Sequence, residues 1–328
     1  MVCQIQEAGS KRMSVFLPTQ SVYYDQVNLI GQPQDSISSR DDIPKDLANI
    51  IVAPMAAVVG QKFALEALNQ NLSVCLHRFG RQGSQKKILH KIYDEFGRDE
   101  VREGWKEVWV SVGLNDVEAV EDLDHTHVLI DVANGYLGDV TRFARALQSK
   151  GYVIMVGNVH TAKGLNRYRD CRVRVGIGNG SPCDTAIVTG YNRGQITELT
   201  ECVRDRYNHD QKIVADGGIK SGGDAAKAFG LGADYVMTGG YFSLAEEAQN
   251  VIDGEYRYWG GASQTQQIKS HGKIKRHSEG KDISLSKKDI KPLEYLVKEF
   301  WGGISSAISY SGHANLTQFR GNGVFETK

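Results

Sequence analysis

Eight short apolar runs constrain this chain more than anything else in its sequence. They start at Asn49 (NIIVAPM), Leu72 (LSVCLH), Val108 (VWVSVG), His127 (HVLIDV), Tyr152 (YVIMVG), Arg172 (RVRVGIG), Lys212 (KIVADGG) and Asp234 (DYVMTGG). Most are continuous rather than alternating, as strands covered on both faces of a parallel sheet must be. Between them lie segments of helical spacing, such as QKFALEALNQ from Gln61, QKKILHKIYDEF from Gln85 and GDAAKAFGLG from Gly223. Strand and helix alternating eight times is the signature of an α/β chain closed into a (β/α)₈ barrel, with a doubly wound open sheet as the alternative. We expect one domain, made of an N-terminal segment 1–49, a barrel core 50–249, a Gly-, Lys- and Ser-rich flap 250–290 and a C-terminal helix and tail 291–328. The helix after Pro292 is expected to break near Gly302 and Gly303.

Composition narrows the partners. The 328 residues carry 39 basic and 39 acidic side chains, so the electrostatic footprint of a nucleic-acid binder is missing. No run approaches the roughly 20 apolar residues of a membrane span, and the first residues lack a signal-peptide pattern. Five cysteines without CxxC spacing suit reduced thiols in a cytoplasm rather than a disulfide framework or a zinc site. Cys75 and Cys171 read as packing residues.

In a barrel of this class the chemistry sits where strands end and βα loops begin. The second strand ends in His77-Arg78, the fourth in Asp131, the fifth in GNVH with Asn158, and the sixth runs into GIGNGSPCDT from Gly176 to Thr185. The seventh ends in Asp216-Gly217-Gly218 and the eighth in Thr238-Gly239-Gly240. Backbone N–H groups in such glycine turns can cradle a phosphate, Ser181 adds a hydroxyl, and Asp216 can accept from ribose hydroxyls. Cys183 is a candidate nucleophile on a loop at the catalytic face. On the residues alone, the glycines could equally make tight turns and the loop cysteine could be inert.

The motifs IDVANGY (Ile130 to Tyr136), GNVHT, VGIGNGSPCDT, ADGGI (Ala215 to Ile219) and SEGK (Ser278 to Lys281) resemble those of the IMP dehydrogenase and GMP reductase family. The likeness runs from Asp25-x-Val-x-Leu to the GGISSAISYSGHANL stretch at Gly302. Within the family the chain is closer to the reductases. It has no room for an inserted regulatory module between Arg78 and Val108, and no Arg-Tyr pair in the 15 residues between Ser263 and Glu279.

The resemblance implies an NADPH-dependent reductive deamination of a purine nucleotide, GMP or dGMP to IMP or dIMP, through a covalent Cys183 thioimidate. Thr185 and Glu279 would handle the proton, with Asp131 and His77 completing the catalytic set. Ser181, Asp216, Gly217, Gly218, Gly239, Gly240, Gly261, Ala262 and Ser263 would hold the nucleotide. Asn158, Arg276, Lys281 and Arg78 would hold the cofactor. The resemblance also implies a homotetramer, and a monovalent cation such as K+ on the main-chain carbonyls of Gly176, Gly178 and Cys183. Three positions depart from the family pattern. His77 stands where the family has a lysine, Ala56-Ala57 replace an Asp-Thr pair, and Asp184 puts a carboxylate beside the nucleophile. The competing readings are an IMP dehydrogenase and a catalytically weak purine-nucleotide-binding protein.

Overall fold

A computed structural model of the chain describes residues 21–33, 37, 39–79, 84–114, 117–208, 211–275 and 277–328. Its centre is a closed barrel of eight parallel strands: β1 (Ile50–Val52), β2 (Ser73–Leu76), β3 (Val108–Val112), β4 (His127–Asp131), β5 (Val153–Val159), β6 (Arg172–Val175), β7 (Lys212–Asp216) and β8 (Tyr235–Thr238). Pairing runs in sequence order, and β8 closes on β1 through Ile50, Ile51 and Val52. The eight apolar runs are these eight strands. They read as continuous because both faces are covered. Ile51, Cys75, Trp109, Leu129, Met155, Val214 and Met237 point into the barrel and form their own core, while their neighbours in sequence pack against the surrounding helices. The interior is therefore filled with side chains, and a ligand can sit only at an end. At the N-terminal end Arg172 pairs with Glu107 at 2.6 Å and stacks on Trp109 and Tyr235, which closes that mouth. The opposite mouth is left for function.

Two parts of the sequence fold otherwise than expected. The helix Leu293–Tyr310 is unbroken through Gly302 and Gly303. The reason is a close crossing with the helix Gly222–Leu231. A Cβ on Gly303 would lie 3.1 Å from the Gly222 Cα, and one on Gly222 would overlap the Phe300 carbonyl. The small residues let two backbones touch, and the burial of Phe300, Trp301 and Ile304 outweighs the roughly 1 kcal/mol that a helical glycine costs. Residues 250–290 show no periodicity in sequence, yet they contain a three-stranded antiparallel sheet (Val251–Ile252, Glu255–Trp259, Asp282–Ser284) and the helix Gln264–His271. The N-terminal segment is tied down by Val27–Leu29, which pairs antiparallel with Phe325–Thr327. Among the described residues, no helix is long and apolar enough to cross a membrane.

Desolvated histidines make stability depend on pH, His125 and His77 most of all. His125 is 2% exposed, with Nε2 2.7 Å from the Val108 carbonyl and Nδ1 3.0 Å from the Tyr93 hydroxyl. A carbonyl only accepts, so Nε2 carries the proton, and Nδ1 faces the Tyr93 hydroxyl, which also reaches the Asp124 carbonyl at 3.2 Å. Burial pushes the His125 pKa down to about 4. The unfolded chain therefore binds the proton more readily than the folded one. Stability is whole above the ordinary value of 6.5 and is lost as pH falls towards 4, by up to about 3 kcal/mol. We expect the urea midpoint to fall across that window, and His125→Gln, which can still donate to the Val108 carbonyl but does not titrate, to lessen the fall. Equal pH slopes in the two proteins would contradict this.

Candidate active site

The C-terminal mouth of the barrel holds a cavity of about 300 Å³, the lower end of the range for small-molecule sites. Three glycine-rich turns form one wall: Gly176–Gly180 after β6, Gly217 and Gly218 after β7, and Gly239 and Gly240 after β8. Their backbone is close-packed. Gly176 has φ of 142°, and a Cβ there would overlap the Asp216 carbonyl oxygen, so only glycine serves. Ser181, Asp216, Gly261 and Ala262 also line the cavity. Ser263 does not. It is fully buried, and its hydroxyl accepts from Gln266 N as the cap of helix Gln264–His271.

Cys183 stands over this cradle. Its Sγ donates to Thr185 Oγ1 at 3.2 Å, and the Thr185 hydroxyl donates to Glu279 Oε2 at 3.1 Å. The three residues form one hydrogen-bonded line from thiol to carboxylate, although Glu279 is 94 positions further along the chain. The flap brings it there. Gly280 bridges antiparallel to Cys183, and Asp184 N donates to the Glu279 carbonyl at 2.7 Å. Cys183 is half-buried, whereas Cys75, Cys171 and Cys202 are buried. Burial pushes the Cys171 thiol up to about 12 and raises those of Cys75 and Cys202. Among the described cysteines, Cys183 alone combines access with a polar partner for its proton.

Beneath the cavity lies a network that sequence reasoning missed. Arg174, on β6 and 7% exposed, donates from Nη1 to Asp131 at 2.7 Å and from Nε and Nη2 to Asp216 at 2.9 and 2.8 Å. Burial opposes its charge, but Asp216 and Asp131 outweigh the burial and hold it protonated. Asn158 Nδ2 donates to the same Asp216 oxygen and to the Gly176 carbonyl, both at 2.7 Å. Asp216 also lines the cavity, and these bonds leave its Oδ1 without a partner among those named. Asp131 also faces Arg78 at 3.6 Å. The alternation Arg172-Val173-Arg174-Val175 was a signal that one arginine points into the barrel mouth.

The second missed residue is Tyr258, which lines the cavity beside Gly239 and Gly240. Its hydroxyl is 2.9 Å from Met55 Sδ, a weak acceptor, and burial pushes its pKa up. It is a neutral donor beside the glycine turns.

The remaining expected residues divide. Arg78 and Phe79 line the cavity, with the guanidinium 4.7 Å above the ring centroid. His77 is not on the cavity wall. Burial pushes its pKa down to about 4, so it is neutral at pH 7 and cannot supply a lysine's charge. Lys281 is not on the wall either, and its Nζ lies 3.5 Å from Asp184 Oδ1. Arg276 falls outside the described residues. The Gly176 carbonyl expected to bind a cation accepts from Asn158. The described residues hold no group of three or more His, Cys, Asp or Glu that could bind a metal ion.

Comparison with known proteins places the chain in a family. Residues 24–328 match the IMP dehydrogenase / GMP reductase domain. The chain is 30% identical over 291 residues to a GMP reductase of Shewanella halifaxensis, covering 82% of this chain and 80% of that protein. It is 36% identical over 204 residues to a GMP reductase of Aeromonas hydrophila, 58% of each chain. Against human GMP reductase 1 it is 32% identical over 231 residues, 65% of this chain and 66% of that one. With a family match over nearly its whole length, a closed eight-stranded barrel and the cysteine loop at its mouth, the chain belongs to the IMP dehydrogenase / GMP reductase family.

Proposed function

We propose that the protein is a GMP reductase-type oxidoreductase, converting GMP to IMP and ammonia with NADPH as reductant. The observation that carries the reading is the line Cys183–Thr185–Glu279 at the edge of a glycine-walled cavity. The nucleotide's phosphate lies against the turns at Gly217, Gly218, Gly239 and Gly240, with Ser181 and the Tyr258 hydroxyl as further donors. Its ribose hydroxyls donate to Asp216. The Cys183 proton passes through Thr185 to Glu279, and the thiolate attacks C2 of the purine. The bond from C2 to the exocyclic nitrogen breaks, and Glu279 returns the proton through Thr185 so that ammonia, not an amide anion, departs. A thioimidate joins C2 to Cys183.

The wall formed by Arg78, Phe79 and Ala133 suits a flat ring bearing a polar amide, because it offers an aromatic side chain and a guanidinium that can donate to an amide oxygen. When bound there, the reduced nicotinamide supplies the hydride for C2. The C2–sulfur bond then breaks and Cys183 leaves as thiolate, to be reprotonated. The balance is GMP, NADPH and two protons to IMP, NADP⁺ and ammonium.

The test is purified protein with GMP and NADPH, expected to release one ammonium per cofactor oxidised. Cofactor oxidation with IMP and NAD⁺ inactive supports the reductase; NADH formation from IMP and NAD⁺ without GMP turnover would replace it with the dehydrogenase. Glu279→Gln is expected to lower kcat by about 10²–10⁴-fold with a smaller change in KM. A change confined to KM would remove Glu279 from the proton path.

A further inference from the structure

We propose that Asp184 and Lys281 form a latch that holds the flap segment 278–281 against the cysteine loop and thereby keeps Glu279 on Thr185. Asp184 occupies the N-cap position of the helix Thr185–Thr189, where an aspartate ordinarily accepts from the first turn, yet it makes no side-chain cap bond. Its carboxylate instead faces Lys281 Nζ across the seam at 3.5 Å.

The pair sits astride two reciprocal main-chain bonds: Asp184 N to the Glu279 carbonyl at 2.7 Å, and Lys281 N to the Pro182 carbonyl at 2.9 Å. Between them, Gly280 touches both sides. A Cβ there would lie 2.9 Å from Ser263 N and 3.2 Å from the Pro182 carbonyl oxygen. Ser278 Oγ stands within hydrogen-bond reach of the Ala262 and Gly280 carbonyls. Gly260 N adds a bond to the Lys281 carbonyl at 3.3 Å and Gly280 bridges to Ser263, but the seam to the cysteine loop itself is short, two main-chain bonds and the ion pair.

Lys281 is 51% exposed and Asp184 23%, so the pair works in a wet setting. Its loss is expected to raise the opening equilibrium by about two- to fivefold, not by orders of magnitude. The catalytic consequence rests on the functional reading above; the latch itself does not.

The experiment is hydrogen–deuterium exchange of the flap segment, read by mass spectrometry, in the wild type, Asp184→Asn, Lys281→Met, Lys281→Arg and the reversed pair Asp184→Lys/Lys281→Asp. The expected result is exchange about two- to fivefold faster in Asp184→Asn and Lys281→Met, unchanged in Lys281→Arg, and slowed again in the reversed pair. Turnover, where measurable, should fall in step through kcat rather than KM. Unchanged exchange in both charge-removing variants overturns the latch. So does faster exchange that the reversed pair leaves uncorrected, since each residue would then act alone. A protein with no GMP turnover still answers the exchange experiment, so failure of the functional reading and failure of the latch are separable.

Discussion

Cys183→Ala is expected to lower GMP-dependent NADPH oxidation by about 10⁴-fold or more while leaving GMP affinity within about a factor of three. The split follows from geometry. Every group assigned to binding the nucleotide belongs to other positions: the glycine turns, Ser181, Asp216 and Tyr258. The sulfur's polar contact is with Thr185, so its removal takes away bond formation to C2 and little else. Steady-state kinetics with a direct GMP binding measurement checks this. Substantial residual turnover in the alanine protein would mean that the amine leaves without a covalent intermediate, and weakened GMP binding alone would make Cys183 a pocket wall.

The second large effect is structural. Arg174→Met is expected to cost about 3–5 kcal/mol of folding stability. It removes the cation that Asp131 and Asp216 share at 2.7 and 2.8 Å. Among the described residues, Asp216 then keeps the Asn158 bond, and Asp131 keeps Arg78 at 3.6 Å. Two carboxylates are left in the mouth of the barrel with little to offset their desolvation. Arg174→Lys, which retains charge but not the planar fork that reaches both partners, should fall between. Denaturant unfolding measures the cost, and a methionine variant within about 0.5 kcal/mol of wild type would show that the two carboxylates tolerate each other. Because Asp216 also faces the cavity, nucleotide affinity should drop in the methionine variant in parallel.

The barrel was legible because its strands are buried on both faces, and such strands leave a simple mark: runs like IIVAPM and VWVSV with no polar alternation. The functional mouth was legible in part, because glycine turns, a loop cysteine and Asp216 fall at strand ends by position alone. What escaped was whatever depends on a partner distant in sequence. Gly302 and Gly303 read as a helix break, since nothing near them reveals that Gly222 passes alongside. The flap sheet escaped because its strands are two to five residues long, too short for a period to show. Arg174 looked like one polar residue in a strand; its meaning comes from Asp131 and Asp216, 43 and 42 positions away. Lys281, whose charge suggested a cofactor phosphate, also faces Asp184 of this chain at 3.5 Å, a partner that its own stretch of sequence does not announce.

The measurement that bears most directly on the central claim is the mass of the Cys183 peptide after wild-type protein is incubated with GMP, quenched and digested. The expected result is a nucleotide adduct on Cys183 equal to GMP less ammonia, which vanishes when NADPH is added before the quench as IMP forms. An unmodified Cys183 peptide while GMP is being turned over to IMP, or an adduct that NADPH leaves unchanged, would contradict it.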